Sequence, residues 1–229
     1  MSRRPQKTEA EHRADLIAVC RRLASLSLIG AGEGNVSIRL GPHRVLATPS
    51  GTNKALLEPH ELVTTDPSGE KILGRRGPSS ELFMHLAVYR ARGDVMAVVH
   101  AHPPTAIALT LAGISLSEAV MPEAVTALGG GVPTAAYATP STPALADGVA
   151  ATLSRYDACL MERHGAIAVG KDVLEACDRM ETVERVAQVI LRAHLMHGNP
   201  TPLANAEVEK LLRLSGRPHP HPLSTCGEG

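Results

Sequence analysis

The sequence MAVVHAHPP, residues 96–104, places two histidines at the end of an apolar run. The apolar residues 95–99 predict a buried strand, and side chains two positions apart on a strand point to the same face. His100 and His102 are therefore expected side by side where the strand ends, because the two prolines that follow cannot donate to a β ladder. Two parallel imidazoles suit a divalent metal, although ordinary histidines at the rim of a sheet show the same pattern.

Composition and charge exclude several classes of partner. The 229 residues carry 23 basic and 23 acidic side chains, and no basic stripe predicts a nucleic-acid partner. No apolar run approaches the roughly 20 residues of a membrane span, and the first residues lack the apolar segment of a signal peptide. Four cysteines without CxxC spacing are typical of a reduced protein. We therefore expect a cytoplasmic protein that binds neither nucleic acid nor a membrane.

Short strands joined by tight turns alternate with helices along the chain. The apolar spacing and turn residues predict helices at residues 9–27, 77–92, 142–154 and 172–197. Strands are predicted around Val36 and Ile38, at 43–48, within 133–137, and as pairs in 61–73 and 158–170. This pattern favours an α/β fold in which a mixed, mainly antiparallel central sheet lies between helical layers. We expect one domain over residues 9–214, with flexible ends at 1–8 and 215–229.

Two further residues are candidates for the site. His164 follows an apolar strand, and Gly165 after it permits a tight turn, although a histidine in a surface turn is the commoner case. Glu81 follows Ser79 and Ser80, either of which is expected to cap the next helix. A carboxylate there is usually a capping residue, but serine hydroxyls and free backbone N–H groups at a helix start also bind anions.

Two glycine-rich turns offer the same kind of anion site. GEGNVS places Asn35 after a glycine, and TPSGT contains Ser50 and Gly51, so each turn combines a polar side chain with backbone N–H groups. Either turn alone is more often structural, and neither is followed by the GKS or GKT of a P-loop. Lys54 follows the second turn and could add positive charge to it, although a solvated lysine is the commoner case and is what we expect. His85 lies one helical turn after the candidate carboxylate, where packing is favoured over metal binding.

Six short motifs occur in one order along the chain: GNVS, TPSGT, PSSE, VVHAHP, AYATPST and RHG. In this order they resemble the class II aldolase/adducin-head family over about residues 10–195. The resemblance implies a mixed, mainly antiparallel sheet between helical layers, and a homotetramer whose sites lie at subunit interfaces. It also implies an enzyme, because adducin heads lack the zinc histidines that this chain carries.

The resemblance assigns roles to individual residues. It implies that His100, His102 and His164 bind one Zn²⁺ per chain. Glu81 would be the catalytic carboxylate, which also ligates the metal before substrate binds, and Tyr137 would protonate the departing aldehyde oxygen. The residues expected at the substrate phosphate are Asn35, Ser50, Gly51, Ser79 and Ser80.

The implied reaction is cleavage of a ketose 1-phosphate, L-fuculose 1-phosphate or a similar deoxy-ketose phosphate, to dihydroxyacetone phosphate and a small aldehyde. Three neutral imidazoles leave zinc with its double charge and an open position, where it stabilises an enediolate. A decarboxylase, dehydratase or epimerase acting on a sugar-acid phosphate or a hydroxylated aromatic acid is the alternative, although the family's epimerases carry Asp where this chain has Glu81. Arg163 stands where Asn or His is common, and residues 190–229 contain no aromatic residue, so the aldehyde portion stays open.

Overall fold

The computed structural model describes residues 7–198 and 200–216. The strands of its single sheet are β1 (Asn35–Gly41), β2 (Arg44–Ala47), β3 (Val63–Thr65), β4 (Lys71–Leu73), β5 (Ala97–Ala101), β6 (Thr134–Ala135), β7 (Ala158–Met161) and β8 (Gly165–Gly170). They lie in the order β4-β3-β2-β1-β5-β8-β7-β6. Only the β6–β7 pair is parallel among these strands. The prediction of a mixed, mainly antiparallel sheet is confirmed.

Helices cover both faces of this sheet. They are α1 (Glu9–Ser25), α2 (Leu82–Ala91), α3 (Pro104–Leu111), α4 (Pro122–Leu128), α5 (Pro143–Leu153), α6 (Val173–Leu195) and α7 (Asn205–Ser215). α1, α3, α4 and α6 contribute to the apolar core on one face, while α2 and α5 contribute to the core on the other. The predicted arrangement of a sheet between helical layers is therefore confirmed.

Alternation along the central strands decides which side chains face which helices. In β5, Val99 belongs to the core under α6, whereas Val98 belongs to the core under α2. β8 alternates in the same way, with Ala168 on the first face and Ile167 on the second. Because His100 has the parity of Val98, its side chain emerges on the α2 face of the sheet.

The helix that follows PSSE begins later than predicted. Glu81 is itself the N-cap of α2, and its side chain makes no capping hydrogen bond. The Ser79 carbonyl accepts from the N–H of Leu82 at 3.0 Å, and the Ser79 hydroxyl accepts from the N–H of Glu81 at 3.3 Å. The prediction of Ser79 or Ser80 as the cap is wrong, because the serines form a separate turn that leaves the Glu81 carboxylate free for other contacts.

The sequence pattern does not anticipate α3, α4 or α7. α3 begins at Pro104, because the proline that cannot continue a strand is well suited to the first turn of a helix. α1 ends at Ser25 rather than at residue 27, since Ser27 adopts a left-handed conformation with φ of 57°.

The predicted flexible ends fall mostly outside the described residues, which exclude 1–6 and 217–229, and stay predictions. Within the described part, Thr8 caps α1 by accepting from the N–H of Glu11. No helix of residues 7–198 and 200–216 combines the length and apolarity that crossing a membrane requires.

Candidate metal centre

Strand β5 places the first two histidines. His100 is fully buried, and its Nδ1 lies 2.9 Å from the carbonyl oxygen of Ala166 in the adjacent strand β8. A carbonyl only accepts, so Nδ1 carries the proton. His102 lies one residue beyond the strand, and its backbone N–H donates to the carbonyl of Leu28 at 2.8 Å. The two Nε2 atoms are 3.1 Å apart, so the side-by-side placement predicted from their spacing is confirmed.

The tight turn between β7 and β8 brings in the third histidine. Arg163 has φ of 59°, in the left-handed region, and His164 follows it at the turn. Gly165 lies so close to the neighbouring strand that a Cβ there would lie 2.5 Å from the carbonyl oxygen of Ala101. The His164 ring centroid lies 5.1 Å from those of both His100 and His102. The fold thus unites residues that are far apart in sequence.

Glu81 faces this cluster from the start of α2. Its Oε2 lies 3.3 Å from Nε2 of His100, and its Oε1 lies 3.2 Å from Nε2 of His164. Asn35 donates its side-chain N–H to Oε2 at 3.0 Å. Burial alone raises the pKa of Glu81, but its contacts with the two imidazole rings outweigh burial and hold the pKa well below its ordinary value. The carboxylate is therefore ionised and aimed at the histidines.

The donor set fits a zinc ion. One nitrogen from each of the three histidines lies within 4.8 Å of the others. Tetrahedral zinc with Zn–N bonds of about 2.1 Å requires nitrogens about 3.4 Å apart, close to the 3.1 Å between His100 and His102. Burial and the two neighbouring rings lower the pKa of His102 to about 4, which favours the neutral form that binds metal. Three imidazole nitrogens and one carboxylate converge here, and a divalent cation would satisfy all of them.

Glu33 is a neighbour of the cluster that the sequence analysis missed. Its Oε1 lies 3.9 Å from Nδ1 of His102, and its Oε2 accepts from the N–H of Gly30 at 2.9 Å. A carboxylate behind a histidine typically orients the ring toward a metal. The available signal was an acidic residue inside the glycine-rich turn GAGEGN, which the sequence analysis considered only as an anion site.

Two of the segments predicted to bind phosphate lie side by side. Pro49 and Pro78 form an isolated antiparallel bridge, and the N–H of Ser50 donates to the carbonyl of Gly77 at 3.0 Å. Gly51 has φ of 64°, a left-handed conformation that favours glycine. The turn after β2 therefore adjoins the turn that contains Ser79 and Ser80.

Asn35 connects this region to the metal cluster. It begins β1, pairs with His100 of β5, and is bonded to Glu81. Its side-chain Oδ1 is buried and accepts no hydrogen bond from any residue in the described part of the chain. All five residues predicted at the phosphate thus lie on segments that meet beside the histidines.

Tyr137 and His85 lie outside the histidine cluster. The side chain of Tyr137 is 57% exposed, and its backbone N–H donates to Glu162 at 3.2 Å. His85 is fully buried, and its Nδ1 lies 2.8 Å from the Ser37 hydroxyl of β1. The predicted packing role of His85 agrees with this burial, and its polar contact is with strand β1.

Comparisons with known proteins identify the family of the chain. A model of the family described as Class II Aldolase and Adducin N-terminal domain matches residues 14–191. The chain is 35% identical over 202 residues to a 5-methylthioribulose-1-phosphate/5-deoxyribulose-1-phosphate aldolase of Rhodospirillum rubrum, covering 87% of this chain and 89% of that protein. It is 32% identical over 186 residues to a 3-oxo-tetronate 4-phosphate decarboxylase of Pectobacterium atrosepticum, covering 80% and 85%.

A solved structure of an L-fuculose 1-phosphate aldolase superposes with a TM-score of 0.83 at 30% identity, covering 89% of this chain and 95% of that one. The chain belongs to the class II aldolase and adducin family. It is a metal-dependent lyase, and its relatives include proteins named aldolase and decarboxylase.

Proposed function

We propose that this protein is a zinc-dependent aldolase that cleaves a ketose 1-phosphate to dihydroxyacetone phosphate and a small aldehyde. The observation that carries the proposal is the convergence of three histidine nitrogens on the Glu81 carboxylate, beside the turns that contain Ser50 and Ser79. L-fuculose 1-phosphate and similar deoxy-ketose phosphates are the proposed substrates. Relatives named for 5-deoxyribulose 1-phosphate and for fuculose phosphate support this class.

His100, His102 and His164 would hold one zinc ion per chain. The ion would act as a Lewis acid toward substrate oxygens and stabilise the negative charge that develops when the carbon–carbon bond breaks. The hydrogen bond from His100 Nδ1 to Ala166 fixes that ring with Nε2 toward the centre. The site therefore needs no lysine that forms a Schiff base.

Glu81 is proposed to move the proton at the reacting carbon. Its carboxylate would accept and return that proton, and the side-chain N–H of Asn35 holds one of its oxygens in place. Because α2 begins only after Glu81, the carboxylate belongs to a turn and is not committed to capping the helix. Glu81 would then lie beside the carbon that it serves when the substrate is bound.

The phosphate is proposed to bind where Asn35, Ser50, Gly51, Ser79 and Ser80 meet. Backbone N–H groups in glycine-rich turns and serine hydroxyls are suitable donors to a dianion. Binding energy from the phosphate would orient the carbons that react.

Tyr137 is proposed to protonate the departing aldehyde oxygen in an assembled homotetramer. In one chain the side chain of Tyr137 is 57% exposed, so its phenol would need a second subunit to exclude water from it. Sites at subunit interfaces would meet that need.

A metal-dependent decarboxylase is the second candidate. The 32% identity to a 3-oxo-tetronate 4-phosphate decarboxylase supports it, and such a substrate adds a carboxylate to the phosphate. Arg163 offers a guanidinium immediately before His164, in a left-handed conformation that is uncommon for arginine. Both reactions use a metal and an anion site, so the geometry of the histidines does not separate them.

One experiment tests both candidates. Zinc is measured by mass spectrometry on the purified protein, and L-fuculose 1-phosphate, 5-deoxyribulose 1-phosphate and 3-oxo-tetronate 4-phosphate are supplied separately. About one zinc per chain with release of dihydroxyacetone phosphate from a ketose 1-phosphate is the expected result. Release of carbon dioxide from the third compound alone would establish the decarboxylase. Failure to bind zinc, even when zinc is supplied, would refute the metal site and both candidates.

A further inference from the structure

Lys54 is buried beneath the turns of the proposed phosphate site, contrary to the solvated lysine expected from the sequence. The residue is 2% exposed and begins a short 3₁₀ helix, Lys54–Leu56. Its Nζ donates to the carbonyl of Gly32 at 3.1 Å and to the carbonyl of Thr52 at 3.0 Å. Because lysine is seldom fully buried, this placement requires a reason.

The two carbonyls belong to two different loops. Gly32 lies in the glycine-rich loop that leads to Asn35, whereas Thr52 directly follows Ser50 and Gly51. Glycine-rich loops have many accessible backbone conformations, and ordering them costs entropy. One ammonium bonded to both carbonyls therefore holds the loops in a fixed relation, and their N–H groups are the proposed donors to the phosphate.

The charge of Lys54 is not balanced locally. No carboxylate of residues 7–198 and 200–216 lies within 4.0 Å of its Nζ. The buried Arg179, in contrast, lies 2.9 Å from Asp157 and 3.4 Å from Glu175. Burial lowers the pKa of Lys54, while Cys20 and Glu81 raise it. A buried cation without an adjacent anion is costly, and an arriving phosphate would reduce that cost.

We infer that Lys54 is a positioning residue for the substrate phosphate, which holds the two loops together and places a positive charge behind them. The inference rests on the proposed function, since it takes a phosphate monoester as the ligand of these loops. It also explains why a lysine is tolerated at a position where an apolar side chain would cost less to bury.

The test compares Lys54→Met, which keeps most of the length of the side chain and removes its ammonium group, with Lys171→Met. Lys171 is 76% exposed at the opposite end of the sheet. Calorimetric titration of each zinc-loaded protein with glycerol 3-phosphate measures the affinity, and glycerol serves as the uncharged probe. We expect Lys54→Met to weaken glycerol 3-phosphate binding about tenfold or more, as loss of a charge-assisted interaction predicts. Lys171→Met should leave this binding unchanged.

Steady-state kinetics provide a second readout. The KM for the ketose phosphate should rise about tenfold in Lys54→Met while kcat changes little, because the interaction exists equally before and during the reaction. A merely structural role would lower kcat or zinc content instead. Lys54→Gln offers an uncharged amide donor on a shorter side chain, and it serves if the methionine variant does not fold.

Each outcome separates the inference from the function beneath it. Wild-type protein that binds no glycerol 3-phosphate would refute the proposed phosphate site itself. Wild-type binding together with unchanged affinity in Lys54→Met, or in Lys54→Gln where methionine prevents folding, would overturn the role of Lys54 alone. Weaker binding with intact zinc in the folded variant would support it.

Discussion

Polar side chains cluster at both ends of the central strands. The two clusters differ in whether those side chains have partners of opposite charge within the chain. At the end where β5 begins and β8 finishes, an open cleft of about 840 Å³ is lined in part by Arg92 and Arg179, whose guanidinium groups lie against carboxylates. Arg92 Nη1 lies 3.1 Å from Asp157 and also donates to the carbonyls of Leu153 and Tyr156. Arg179 shares the same aspartate. Charges at this end neutralise one another within the chain.

At the other end, the groups that converge are mostly acceptors. Three histidine nitrogens and the Glu81 carboxylate face one another, and Asn35 supplies one side-chain donor. The open cleft therefore lies among paired charges, whereas the candidate site gathers acceptors that a cation would satisfy. We therefore place the candidate metal site by the chemistry of its side chains and not by the volume of a cavity.

The largest effect on zinc binding and turnover is expected for His102→Ala. We expect zinc content to fall well below one per chain, and turnover to fall on the order of 10³-fold or more, since a Lewis-acid metal supplies several kcal/mol. Metal analysis and the aldolase assay measure both. His43→Ala, in an exposed turn, is the matched control and should retain both. Stoichiometric zinc in His102→Ala would remove that residue from the metal set.

Glu81→Gln separates the carboxylate from the histidines. We expect zinc to stay bound through the imidazoles, while kcat falls by about 10²-fold or more because a general acid–base group is lost. Glu118→Gln, on an exposed segment, is the control. Near-normal turnover in Glu81→Gln would reduce Glu81 to a residue that precedes α2 and nothing more.

Asp157→Asn tests the opposite end. Two partly buried guanidiniums would lose their shared anion, and the free energy of unfolding should fall by about 1–3 kcal/mol. Urea denaturation measures the loss, with the exposed Asp147→Asn as control. The kcat of folded Asp157→Asn should equal that of wild type. A large loss of kcat without a loss of stability would contradict the division between the two ends.

The effect of His85→Gln is expected in how stability depends on pH. Burial, with His100 nearby, lowers the pKa of His85 to about 3 from an ordinary value of 6.5. The ring is neutral in the fold, so its stabilising contribution is complete above pH 6.5 and is lost as the pH falls toward 3. The loss amounts to roughly 1.4 kcal/mol per pH unit.

Glutamine does not titrate, so the metal-free His85→Gln protein should lose less stability than metal-free wild type between pH 6.5 and 4. Urea denaturation at several pH values measures both slopes, and His43→Gln is the control. Parallel slopes for wild type and His85→Gln would show that His85 does not contribute to acid sensitivity.

Local pattern accounts for much of the fold. The hairpin around Asp66 and the strand pair within 158–170 were predicted from turn residues and apolar alternation, and the structure has β3–β4 and β7–β8 there. The spacing of His100 and His102 likewise predicted their adjacency. These features depend on residues close together in sequence, where backbone geometry sets the outcome.

Short or ambiguous segments escaped prediction. α4 has seven residues, too few for helical periodicity to be distinguished, and α3 begins at a proline that also ends a strand. The cap of α2 was misplaced because serine followed by a carboxylate is typical of a helix start, whereas here Ser79 closes a turn of its own.

Patterns within the sequence were enough to predict most of the helices and strands from their apolar spacing, the turns from their glycine and proline residues, and the adjacency of His100 and His102. Only the tertiary structure decided that His164 and Glu81 meet them, because this depends on β5 lying between β1 and β8 with α2 above. It also decided that Lys54 is buried, since its two partners are carbonyls whose positions follow from loop packing. The physical reason is that periodicity acts between near neighbours, whereas a site of converging donors depends on contacts between distant segments.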